Sequence, residues 1–166
     1  MTINVDVVDN GTMGGAGQAI VVDAALLAKW LLPEELADRA QDLIQAAVMA
    51  NRPIHAPPSV IFDVADALYS HTLRDRITVT EANTALSILN DLPLATATPD
   101  SYWPTVLAFA REHNLRHLQV AQAIVLAEML GAEAWTGHRD TYAELGKSVP
   151  WLHWVGDAPQ RPASEG

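Results

Sequence analysis

The 166-residue chain contains no cysteine, which removes disulfides, zinc–thiolate centres and thiol nucleophiles together. Cationic charge is scarce. Ten Lys and Arg stand against twenty Asp and Glu, a formal net charge of −10. Such an excess repels a phosphate backbone at long range. Contact with nucleic acid would have to run through a local basic patch, for which Lys29, Arg74, Arg76, Arg111 and Arg116 are candidates. The same excess suits a basic protein partner. No uninterrupted apolar run approaches the roughly 18 residues that a bilayer span needs, and no basic stretch precedes an apolar core at the N-terminus. A cytoplasmic protein with no membrane segment is expected. The nucleophile elbow Gly-x-Ser-x-Gly and the dinucleotide fingerprint are missing. Gly11, Gly14, Gly15 and Gly17 cluster ahead of the first strand with no Gly-Lys-Ser/Thr after them, so they make no phosphate-cradling loop. The six histidines lack zinc-type pairing.

What is present is an apolar majority, 49% of residues, in a chain long enough for one well-buried domain. We expect a flexible leader over 1–18, one domain over 19–157, and a loose proline-rich tail over 158–166. The organising stretch is Ala19 to Ala25. Its β-branched run reads as a buried strand that delivers Asp23 to the C-terminal edge of a sheet, where ligands sit in open parallel sheets. Asp23 can equally serve as the N-cap of the helical run Leu26–Leu32 that follows. A second helix is expected from Pro33 to about Ala50, a short strand at 53–56, and a third helix from Ser59. Thr78 and Glu81 form a capping-box pattern for a fourth. A strand at 94–98 and a helix at 102–113 follow, with Pro104 in its first turn. The strongly apolar helix 118–130 ends at Gly131. Last come a strand at 133–136, a short helix around 141–145 and a strand at 152–155. Strands alternating with helices argue an α/β fold with a mainly parallel sheet.

Three further stretches carry a resemblance. They are Val22-Asp23-Ala24 with Lys29-Trp30-Leu31-Leu32-Pro33-Glu34-Glu35, the helix opening Pro57-Pro58-Ser59-Val60-Ile61-Phe62-Asp63, and Leu130-Gly131-Ala132 leading to Trp135-Thr136-Gly137-His138-Arg139-Asp140. In this order and spacing the chain resembles the PIN-domain family, in particular the VapC-type toxin ribonucleases, over roughly Ile20 to Val155. The resemblance implies a three-layer α/β/α fold and a ribonuclease that holds Mg²⁺ or Mn²⁺ on clustered carboxylates. It also implies an RNA substrate, a homodimer, and an antitoxin-like protein partner whose segment covers the acidic cleft. Hydrolysis of a phosphodiester needs an activated water and a stabilised leaving oxygen, which paired divalent ions supply. Carried over residue by residue, Asp23 and Asp63 stand at the first two acidic positions as metal ligands, Asp63 replacing the family's usual Glu. The third acid falls at Gln119 or Val120, with Gln122 close by and Glu128 too far along the helix. The fourth falls at His138, which could act as a ligand or proton shuttle, and Asp140 two residues on is a further catalytic candidate. Two of four acidic positions are therefore replaced. The alternative is a catalytically degenerate domain that binds protein or RNA.

Overall fold

The computed structural model describes residues 18–160. Strand β1, Ile20–Val22, is wholly buried. Its alternating side chains enter two different cores, Ile20 and Val22 on one face and Val21 on the other. A strand covered on both faces needs apolar residues at every position, which accounts for the unbroken Ile-Val-Val run. Around it stand β2 (Ile54–Ala56), β3 (Leu94–Thr96), β4 (Glu133–Thr136) and β5 (Leu152–Trp154), all parallel, in the order β3-β2-β1-β4-β5. The helices are α1 (Ala24–Leu31), α2 (Ala37–Met49), α3 (Val60–Leu73), α4 (Val79–Asp91), α5 (Tyr102–Glu112), α6 (Leu118–Leu130) and α7 (Arg139–Leu145). Buried residues of α1 to α4 pack with Ile20 and Val22, and those of α5, α6 and α7 with Val21. The fold is a three-layer α/β/α sandwich with an all-parallel sheet.

Local sequence explains most of the element ends. Asp23 is the N-cap of α1, its Oδ1 accepting the Leu26 N–H at 2.8 Å. Leu32 is extended because it precedes Pro33, whose ring disfavours helical geometry in the residue before it. The second helix was expected from Pro33, but it starts at Ala37. Pro33–Leu36 form a turn in which Leu36 takes a left-handed φ of 67°, a conformation no helix continues through. At α4 both halves of the Thr78–Glu81 capping box are present. Helix α6 is buried over Ala121–Ala127, so it is apolar nearly all round. It closes on Gly131 at a φ of 61°. Helix α7 begins at Arg139, two residues before its expected start.

Both expected boundaries of the domain shift slightly. Gln18, assigned to the leader, donates from Nε2 to the Gly131 carbonyl at 3.0 Å. Ala158, assigned to the tail, is fully buried and its carbonyl accepts from Arg39. The rest of the leader and residues 161–166 of the tail lie outside the described residues. Among the described residues no helix is long and apolar enough to cross a membrane.

Candidate functional site

Strand order reverses between β1 and β4, since β2 and β3 extend the sheet to one side of β1 and β4 and β5 to the other. In open α/β sheets such a switch point leaves a crevice beyond the carboxyl ends of the two strands. Asp23 follows β1 directly, and Thr136 ends β4. Here the chain has a small cleft, lined by Asp23, Ser59, Asp63, Gln119, Thr136 and His138 over an apolar floor that includes Val60, Ile124 and Leu152.

The Asp23 carboxylate is already occupied. Oδ1 accepts the N–H groups of Leu26 (2.8 Å) and Gly137 (3.0 Å), and Oδ2 accepts the Thr136 hydroxyl at 2.5 Å. Thr136 Oγ1 in turn accepts the His138 N–H at 3.0 Å. A carboxylate offers about four lone-pair positions, so one remains. Gly137 completes the junction by being small. A Cβ there would lie 2.4 Å from the Ala25 carbonyl carbon and 2.5 Å from the Leu26 nitrogen. The turn after β4 is thus pressed against the first turn of α1, with the Asp23 carboxylate between them.

Asp63 sits one turn into α3, half-buried. Its Oδ2 accepts the Ser59 hydroxyl at 2.7 Å. Ser59 Oγ also lies 3.1 Å from Gln122 Oε1. One hydroxyl hydrogen cannot serve two acceptors, so the Gln122 amide is better turned to donate from its nitrogen. Gln122 is only 6% exposed, and burial of an amide requires such a partner. Nearby, the Tyr102 hydroxyl donates to the Gln122 main-chain carbonyl at 3.2 Å, and burial pushes the Tyr102 phenol pKa well above its ordinary value.

Of the residues picked out in sequence, Asp23, Asp63 and His138 share the cleft, together with Gln119 and Val120 at the third acidic position. Asp140 does not join them. It lines a neighbouring open depression with Lys29, Glu35, Arg139, Thr141 and Trp154, which His138 borders as well. There the Arg139 guanidinium carbon lies 5.6 Å from the Trp154 ring centroid, a cation–π distance. Of the five cations named as a candidate patch, Lys29 alone lines either hollow. Ser59 and Thr136 line the cleft and Gly137 the neighbouring hollow; sequence reasoning gave none of the three a role.

The donor set does not fit the divalent-ion centre that the family resemblance implies. Among the described residues no group of three or more His, Asp or Glu side chains is arranged to hold a metal. Asp23 has three of its lone pairs engaged, and it lies against the N-terminus of α1, whose partial positive charge opposes a cation. A pair of ions 3.5–4 Å apart needs more clustered carboxylate than this.

No family model matches the chain, and no curated protein matches it. A solved structure does. PAE2754 from Pyrobaculum aerophilum superposes with a TM-score of 0.62 over 84% of this chain and 92% of that one, at 17% identity. The fold is shared. At that identity the likeness says nothing of activity.

Proposed function

We propose that this chain is a PIN-like domain that has lost phosphodiester hydrolysis and is kept as a binding module, with a basic protein segment as its partner. The observation that carries the reading is the third acidic position. Gln119 and Val120 occupy it, and the neighbouring Gln122 is buried against Ser59, so the cleft holds two carboxylates where the family resemblance implies four acids. The net charge of −10 supports a protein partner over RNA. So does the small share of cations around the cleft. The resemblance adds a homodimer and an antitoxin-like partner. Exposed Phe62, Tyr69 and Leu73, on one side of α3, support an interface. The absence of cysteine supports a cytoplasmic setting.

A second reading, a Mg²⁺- or Mn²⁺-dependent endoribonuclease, is favoured by one fact: Asp23, Asp63 and His138 meet in a single cleft at the sheet edge. Incubation with single-stranded RNA in Mg²⁺ or Mn²⁺ separates the two. A binding module leaves the RNA as intact as in a chelated control. Cleavage that both chelation and Asp23→Asn abolish would establish the nuclease instead.

A further inference from the structure

We infer that Asp23 is the clamp that closes the switch-point junction, a structural duty that takes the place of metal ligation in this chain. The inference stands apart from the binding-module reading, since an inactive cleft can still hold a cation. Two separate pieces of chain meet on this one carboxylate: the first turn of α1 through the Leu26 N–H, and the end of β4 with the turn after it, through the Thr136 hydroxyl and the Gly137 N–H. Thr136 and Gly137 lie 113 and 114 positions away in sequence. They reach Asp23 only because β1 and β4 pair in register, Val22 opposite Trp135. The Asp23 N–H also donates to the Trp135 carbonyl at 3.3 Å, so main chain and side chain hold the same junction.

The fit is specific to the shape of the side chain. Gly137 approaches so closely that a methyl group there would collide with backbone atoms of Ala25 and Leu26. Removing the carboxylate strands two N–H donors in a junction where Thr136 and Gly137 are buried, and unpaired buried donors are costly. Asparagine has the same outline. Its carbonyl can accept from Leu26 and Gly137, and its amide can donate to Thr136 Oγ1, which then accepts from both it and His138. A clamp therefore tolerates Asp23→Asn, which keeps these hydrogen bonds, and is broken by Asp23→Ala, which removes them.

The test is thermal unfolding of Asp23→Ala, Asp23→Asn and Thr136→Val beside the parent chain. Asp23→Ala is expected to lower Tm by about 4–8 °C, combining a lost helix cap with an orphaned amide. Asp23→Asn should cost less than half of that, and Thr136→Val should fall between. An Asp23→Ala chain that fails to fold, beside an Asp23→Asn chain that folds, supports the clamp in the same way. An Asp23→Ala variant as stable as the parent would overturn it, as would an Asp23→Asn variant as damaged as Asp23→Ala. Neither outcome bears on RNA cleavage, so the clamp and the module reading fail separately.

Discussion

Replacing Gly137 by alanine puts the junction under its sharpest stress. The added Cβ would sit 2.4 Å from the Ala25 carbonyl carbon, 2.5 Å from the Leu26 nitrogen and 2.7 Å from the Ala25 oxygen. Carbon pairs rest at about 3.5–4.0 Å, so turn and helix must part by roughly 1 Å. Overpacking costs about 1–3 kcal/mol where side chains can yield; backbone yields less readily, which places this site at the upper end. Parting also stretches the Gly137 N–H bond to Asp23, and hydrogen bonds to charged groups contribute about 1.5–3 kcal/mol. Against this, alanine restricts the unfolded chain and recovers up to about 1 kcal/mol. The net is a loss of about 4 kcal/mol, or about 8–16 °C in Tm for a domain of this size. Circular dichroism melts would read it, with urea titration checking that the m-value is unchanged. Gly131→Ala is the control. It meets nothing within 4 Å but holds a φ of 61°, so it should cost only about 1–2 kcal/mol of left-handed strain. Finding Gly137→Ala no more costly than Gly131→Ala would refute the close approach.

Two further predictions concern pH. Burial alone would raise the Glu133 pKa, but hydrogen bonds from Arg52 and Trp135 and the Arg52 charge outweigh it and leave the carboxyl below its ordinary 4.5. Its contribution to stability is therefore complete above pH 4.5 and lost as pH falls below that. The Tm gap between the parent and Glu133→Gln should close in acid, and a gap that is constant with pH would count against the Arg52 pairing at 2.8 Å. Burial raises the Tyr102 pKa above its ordinary 10.0, so its contribution is complete below pH 10.0 and lost as pH climbs beyond it. Tyr102→Phe should cost about 1 kcal/mol at neutral pH for the lost bond to Gln122 and should melt less steeply in alkali; equal alkaline sensitivity would show that the phenol is accessible in the native state.

Much of the fold could be read from local signals. Ile20-Val21-Val22 named a strand buried on both faces, Thr78 and Glu81 named a helix start, and Gly131 named a helix end; each of these signals acts within a few residues of itself. Leu36 shows the limit. Its left-handed turn has no glycine or asparagine to announce it, so the second helix was expected too early. The site was legible in part. Asp23 was picked out by the strand it follows and Asp63 by the family resemblance of its helix, and both line the cleft. What Asp23 does depends on Thr136 and Gly137, which only strand pairing brings to it. Asp140 shows the reverse failure. Two residues of spacing looked negligible in sequence, yet in the structure they carry it around the start of α7 and into the neighbouring hollow.

Titration of Mn²⁺ into the purified chain by calorimetry, with Asp23→Asn beside it, bears most directly on whether this cleft is a metal centre. A carboxylate spent on three hydrogen bonds and a cleft without a third acid predict only heats of dilution up to millimolar metal, identical in the two proteins. Saturable binding in the parent that Asp23→Asn abolishes would mean that the carboxylate gives up its partners for the ion, and would contradict the account that its hydrogen bonds take the place of metal ligation.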